Sequence, residues 1–286
     1  MATFYNQATL SFGGITTGSN ITAGEIVSGI TLNKVAASAA YAFDDGITYI
    51  VTIENAGMTP YNNLTLVDNL GVFVPRIMDT GVVPLTYIEG SLRYYQNGAE
   101  ATGATASATE AMLTITNIDV PAGGNAALIY EARVNEFAAR GAGNSITNTV
   151  TLLGASLPED ITATATVPVR ERASLTIAKA IFPPVIGNDG IVTYTFIIQN
   201  TGNIAATGDD LIVTDTFNPI LNDITVTLNG DVLEAGTGYT YDEDTGEFAT
   251  VGGVITVPAA DFVRNPDTGI VSLTPGVAVI TVTGTI

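Results

Sequence analysis

The chain has 286 residues, 28 acidic against nine basic, for a formal net charge of −19, and it contains no histidine, cysteine or tryptophan. Those absences remove Cys and His nucleophiles, Ser-His-Asp triads, the usual zinc ligand sets and disulfides, so most enzyme classes are disfavoured and no metal or cofactor is expected. The acidity repels phosphate backbones and anionic lipid, which argues against nucleic-acid and membrane-surface partners.

Only 13% of residues are charged. Val, Ile, Thr, Gly and Ala dominate, and turn clusters interrupt the apolar runs roughly every ten residues, a pattern of strands. The length suits two ordinary domains; one large domain is the alternative, but it would require no internal repeat. The opening Met1-Ala2-Thr3-Phe4-Tyr5-Asn6 has no basic region and no apolar run, so no secretory signal is visible. Either a signal has been trimmed, or the protein reaches the outside without one. No segment approaches transmembrane length.

From Phe4 to Leu10 the chain reads as a strand, and a Lys-bearing strand follows through Ile30, Leu32 and Lys34. Shifting the sequence by 145 residues lays Leu32-Asn33-Lys34 on Ile177-Ala178-Lys179, and Gly46–Asn55 on Ile191–Asn200. With a two-residue insertion, Leu64–Asp68 falls on Leu211–Asp215. This is a duplication. The strands Ala126–Val134 and Val277–Ile286 also correspond, but Ile146–Leu152 has no later counterpart. Its counterpart stands at the other end of the chain, where Phe4–Leu10 repeats its pattern with Asn6 at the place of Asn148, and Asn20-Ile21-Thr22-Ala23 resembles Asp160-Ile161-Thr162-Ala163.

The expected organisation is therefore all-β: an N-terminal donor-strand segment (1–28) and two tandem Ig-like, fimbrial-type β-sandwich domains (29–169 and 170–286), the second lacking its last strand. If the match between short Thr-rich strands is chance, the first 25 or so residues are simply an ordinary first strand of domain one.

Both lysines of the chain occupy equivalent repeat positions. Period-two alternation points Lys34 and Lys179 inward, together with Asp68 and Asp215 on a middle strand and Asn148 on the last. Asn6 shares its face with Phe4, Ala8 and Leu10, which become the expected subunit interface. Burial lowers a lysine pKa and raises that of a carboxylate, favouring a neutral amine beside a protonated acid. Such an amine can attack an asparagine amide, with the acid (Asp68 or Asp215) moving protons as ammonia leaves, to form an isopeptide bond. A buried Lys-Asp ion pair with Asn148 satisfying its remaining valences accounts for the same parity, and both readings stand at this point.

The Tyr49- and Tyr194-bearing strands, the Asn55-Ala56-Gly57 and Asn200-Thr201-Gly202 turns and the Asp-bearing strands resemble a bacterial conserved-repeat family found in tandem in surface proteins. The chain is also similar to the isopeptide-forming domains of Gram-positive fimbriae. That resemblance implies a Lys34–Asn148 cross-link with Asp68 in the first domain. In the second it matches only Lys179 and Asp215, so Asn6 of another molecule is the expected amide donor. It implies a self-assembling fibre subunit whose partner is itself, with room for a tip or anchor protein. The location implied is extracellular, with the endospore surface reconciling this with the absent signal; a secreted pilus or adhesin module binding a host or carbohydrate ligand is the second reading.

The remaining motifs are weaker. Asp44-Asp45-Gly46, Asn188-Asp189-Gly190 and Asp242-Glu243-Asp244-Thr245-Gly246 have oxygen ligands without EF-hand spacing and read as turns. Tyr94-Tyr95 and Tyr239-Thr240-Tyr241 read as cross-strand packing rather than a carbohydrate platform. A glycosidase on paired acids is disfavoured because Asp44 and Asp45 sit in a turn.

Overall fold

Alternation of buried and exposed side chains, the physical signature of a half-buried strand, runs through the long segments of the chain. The computed structural model describes residues 2–26, 29–157, 159–187 and 190–286, and among them every regular element is a strand. They fall into two compact units, Met1–Ala138 with Ser145–Pro168, and Ala139–Asn144 with Val169–Ile286.

The N-terminal segment of the first unit is a ribbon folded back on itself. It comprises β1 (Ala2–Asn6), β2 (Thr9–Phe12), β3 (Ile15–Gly18) and β4 (Thr22–Ile26), with β1 paired to β4 and β2 to β3. Gly13 and Gly14 form the two-residue turn at φ +61° and +80°. Positive φ at both central positions is the geometry that matches strand twist in a tight hairpin, and glycine adopts it without a Cβ clash.

The rest of the unit contains β5 (Ile30–Ala36), β6 (Gly46–Asn55), β7 (Tyr61–Asp68), β8 (Leu85–Tyr87), β9 (Arg93–Gln96), β10 (Ala99–Glu100), β11 (Thr105–Ala108), β12 (Leu113–Val120), β13 (Gly124–Val134), β14 (Ser145–Leu153) and β15 (Ile161–Pro168). One sheet runs β10-β9-β13-β6-β5, with β8 also on β13, and the other runs β11-β12-β7-β14-β15. Their inner faces meet in the core: Tyr49, Val51 and Ile53 from β6, Leu128 and Tyr130 from β13, Leu64 and Leu66 from β7, and Val150 and Leu152 from β14 are fully buried. A register shift in β12, where Asn117 takes φ +59°, lets Ile115 and Ile118 both face inward despite their three-residue spacing.

The second unit has β16 (Leu175–Phe182), β17 (Ile191–Asn200), β18 (Ala206–Thr207), β19 (Thr214–Thr216), β20 (Asn222–Leu228), β21 (Asp231–Leu233), β22 (Tyr239–Tyr241), β23 (Glu247–Thr250), β24 (Thr256–Val257), β25 (Asp261–Arg264), β26 (Val271–Thr274) and β27 (Gly276–Thr285). Its main sheet, β16-β17-β27-β20-β21, matches β5-β6-β13-β9-β10 strand for strand. Even the register is shared: Lys34 pairs with Val51, and Lys179 with Phe196. Its opposing sheet, β22-β23-β19, matches β11-β12-β7 and then stops. Among the described residues no strand of this unit stands where β14 and β15 stand in the first.

The consequence appears in the burial. Ile30 is 3% exposed on β5, whereas the equivalent Leu175 on β16 is 39% exposed. Every residue of β16 is exposed. The remaining core, built around Phe196, Phe217, Phe248, Ile280 and Val282, is closed.

Candidate cross-linking sites

In the first unit, β5 supplies Lys34, β7 supplies Asp68 and β14 supplies Asn148, all on inward faces and all buried. Lys34 Nζ donates to Asp68 Oδ2 at 2.8 Å, and Asn148 Nδ2 donates to the same oxygen at 3.2 Å. Val150 pairs with Asp68, so Asn148 stands one inward position along the strand, diagonal to the carboxylate. The other oxygen, Oδ1, accepts the Leu70 amide at 2.7 Å. The inward alternation of Lys34, Asp68 and Asn148 expected from the sequence thus brings the three side chains together.

Two tyrosines wall this cluster. The Tyr130 hydroxyl donates to Asp68 Oδ2, and the Tyr49 ring centre lies 4.5 Å from Lys34 Nζ. Neither the Tyr49 hydroxyl nor Asn148 Oδ1 has a hydrogen-bond partner among the described residues. Burial lowers the Lys34 pKa to about 8, against the opposing pull of the Asp68 charge. Burial, reinforced by the Asp68 charge, holds the Tyr130 hydroxyl well above its ordinary value, so it remains a proton donor. Tyr130 is the member that the sequence reading missed; its signal was its place between Leu128 and Ala132 on an alternating strand, in register with Tyr49.

The second unit repeats half of this arrangement. Lys179 Nζ pairs with Asp215 Oδ2, and the amine lies 4.5 Å from the Tyr194 ring centre and 5.3 Å from that of Phe217. Val282 occupies the position of Tyr130, since it pairs with Tyr194 as Tyr130 pairs with Tyr49. The described residues place no asparagine side chain against Asp215. The expectation that both amines are buried holds for one only: the Lys34 side chain is 0% exposed and that of Lys179 is 41% exposed. The physical reason is the uncovered β16, with β19 as the free edge of its sheet.

The expected donor strand is also more elaborate than one strand. Asn6, Ala8 and Leu10 lie on β1, the β1–β2 junction and β2, all exposed, while the side chain of Phe4 lies outside the described residues. Asn6 pairs with Thr22, whose hydroxyl donates to the Asn6 carbonyl at 3.2 Å. Leu10 and Phe12 share one face, with Ile15 paired to Phe12, and are 67%, 87% and 74% exposed respectively. The opposite face carries Ser11 and Thr16, hydrogen-bonded through their hydroxyls at 2.8 Å. The β2–β3 end of the ribbon therefore gathers Leu10, Phe12 and Ile15 on one face and Ser11 and Thr16 on the other.

Several other sequence motifs prove to be local structure. Asn55 Nδ2 donates to the Thr59 and Pro121 carbonyls at 2.9 Å each while its Oδ1 accepts the Gly57 amide, and Asn200 does the same with Ile204, Pro258 and Gly202. Asp45 accepts the Ala42 amide, Asp44 pairs with Arg133, and Asp242 accepts the amides of Asp244 and Thr245. Asn188-Asp189 lies outside the described residues. The Tyr94 hydroxyl binds the backbone of Asp119, and that of Tyr241 binds the backbone of Leu221, so these aromatics are committed to strand packing.

No protein-family model matches the chain, and no curated protein does. Solved structures similar to it include the major pilin subunit of Bacillus cereus, with 12% identity and a TM-score of 0.36 over 96% of this chain and 73% of that one. The 35 kDa C-terminal fragment of the major pilin of Streptococcus agalactiae is 12% identical, TM-score 0.36, over 87% and 91%. The pilus backbone of Streptococcus pneumoniae is 11% identical, TM-score 0.36, over 86% of this chain and 55% of its own. At these identities and scores the likeness carries no functional argument, which rests instead on this chain's own residues.

Proposed function

We propose that the chain is a structural subunit that joins copies of itself head to tail into an extracellular fibre or spore appendage. The N-terminal segment of one copy completes the second unit of the next. The observation that carries this reading is the pair of Lys-Asp sites: one sealed and supplied with Asn148, the other open and, among the described residues, without an amide. A free sheet edge beside an apolar face invites strand addition, and backbone hydrogen bonds with alternate side-chain burial provide affinity and register. A contact between two different surfaces propagates into a filament unless its rotation closes a ring.

Carrying the β7–β14 register, in which Val150 pairs with Asp68, onto β19 sets Ala8 opposite Asp215 and Asn6 two residues further along the donor strand, as Asn148 lies two residues from Val150. In the second site Lys179, Asp215 and the incoming Asn6 then take the places of Lys34, Asp68 and Asn148 in the first. In the first site the neutral Lys34 amine attacks the Asn148 Cγ, an N–C bond forms, and the C–Nδ2 bond breaks as Nδ2 departs as ammonia after receiving a proton relayed from the amine by Asp68. No oxidant or cofactor enters. The reaction runs once per site, with no turnover of a substrate.

The deciding experiment is denaturing electrophoresis of concentrated protein after boiling in detergent. A ladder of multiples is expected, lost in Asn6→Ala and in Lys179→Ala while each variant remains folded. Unmodified protein that stays monomeric at high concentration would overturn the reading.

A further inference from the structure

Among the described residues, the opposing sheet of the second unit lacks counterparts of two strands, β14 and β15, rather than of one. In the first unit β14 runs along β7, and β15 runs along β14 from the Ser145–Pro168 pair to the Leu152–Ile161 pair. Of this ribbon, Ile146, Val150 and Leu152 on β14 and Ala165 and Val167 on β15 are all buried. The second strand is therefore part of the seal over the core, and β16 is exposed along its whole length where the described residues provide no counterpart of either.

The N-terminal segment supplies that number. Residues 2–26 already form an antiparallel ribbon whose β2–β3 end carries Leu10, Phe12 and Ile15 on one face, and in sequence the ribbon precedes the Lys-bearing β5 as β14–β15 precedes the Lys-bearing β16. Resting on the head-to-tail reading above, we propose that the element passed between copies is this entire hairpin, with β1–β2 taking the place of β14 and β3–β4 that of β15. The partner of the open face is thus the folded hairpin of a second copy, not an extended strand peeled from it. Transfer as a hairpin keeps the β1–β4 and β2–β3 hydrogen bonds, so no backbone pairing is lost during exchange. Cross-strand partners share a face, so Thr22, opposite Asn6, takes the place of the buried Ala165 opposite Asn148, while Ala23, opposite Tyr5, points to solvent.

The chain has no cysteine, so single cysteines report unambiguously. Ala8→Cys, Thr22→Cys and Ala23→Cys are each mixed as a minority with unmodified full-length chain, and maleimide labelling is timed before and after assembly. The expected result is a fall of about tenfold or more at Ala8→Cys and Thr22→Cys, with Ala23→Cys unchanged. Protection at Ala8→Cys alone means that the hairpin opens and one strand enters, which overturns the two-strand proposal and leaves head-to-tail assembly standing. Protection at Thr22→Cys alone overturns it as well. Full reactivity at both sites in assembled material overturns both readings. Amide hydrogen exchange on unmodified chain provides a check free of substitutions: slowing across both 2–12 and 15–26 is expected, and slowing confined to 2–12 counts against the hairpin.

Discussion

Lys34 and Lys179 carry the same side chain at the same register position, and their neighbourhoods separate their chemistry. Lys34 is sealed beside Asp68, Asn148, Tyr49 and Tyr130, and burial brings its pKa to about 8, below the ordinary 10.5. The neutral fraction of the amine grows as pH rises through that value. Ammonia loss in freshly folded chain, followed by intact mass, is therefore expected to accelerate about tenfold per pH unit below pH 8 and level off above it. A flat profile would remove the neutral amine from the mechanism. Stability has a related dependence. Because the unfolded lysine binds its proton more tightly than the folded one, the unlinked fold gains stability as pH rises from about 8 to 10.5, by at most about 3 kcal/mol, and is indifferent below. Denaturant midpoints of Asn148→Ala, which cannot cross-link, measure this. Asp68→Ala is expected to slow the reaction by about 10²-fold or more, leaving the ammonia in place, whereas Tyr130→Phe removes one donor to the carboxylate and slows it by about tenfold.

Among the elements, the β2–β3 end of the hairpin and the β14–β15 strand pair are alike in carrying apolar side chains on one face. Leu10 and Phe12 each offer about 1.5–3 kcal/mol on leaving water, enough that several such side chains together offset a substantial part of the cost of association. Leu10→Asp should abolish assembly without altering the first unit, read by sedimentation together with far-UV circular dichroism. Gly14 holds φ +80° in the turn, and Gly14→Val places a β-branched side chain where it is strained. Assembly of Gly14→Val is expected to slow several-fold, and unchanged kinetics would mean that the preformed turn is irrelevant to docking. The Asn55 and Asn200 clasps act inside their own units. Asn200→Ala leaves the carbonyls of Ile204 and Pro258 and the Gly202 amide without their side-chain partner, and should lower thermal stability by about 1–3 kcal/mol.

For the whole molecule, the net charge of −19 bears on the proposed meeting of copies. Two strongly acidic chains repel, and salt screens that repulsion over a Debye length of about 30 Å at 0.01 M and about 8 Å at 0.15 M. The rate of ladder formation is accordingly expected to rise with salt across this range. A fall with salt would point instead to an interface steered by opposite charge. Filaments joined through Lys179 and Asn6 should survive heat and detergent, whereas those of Lys179→Ala should form and then dissociate on boiling.

Much of this was legible without coordinates, because strand periodicity is a local property. Alternation alone put Lys34, Asp68 and Asn148 on inward faces, and duplication alone paired Lys179 with Asp215. What neighbours an inward face is not local. Tyr130 reaches Asp68 only through the β13–β6 pairing, and Lys179 is exposed where the described residues of its unit provide no counterpart of β14 and β15, strands distant from it in sequence. The hairpin escaped the linear reading for a similar reason: Phe4–Leu10 resembles one strand of β14, but whether a strand stays extended or folds back is decided by the Gly13-Gly14 turn and by pairing with residues 15–26. Sequence determined which side chains face inward and which of them correspond between the repeats, and tertiary structure decided which Lys-Asp pair is buried and which is exposed, since burial depends on strands distant in the chain.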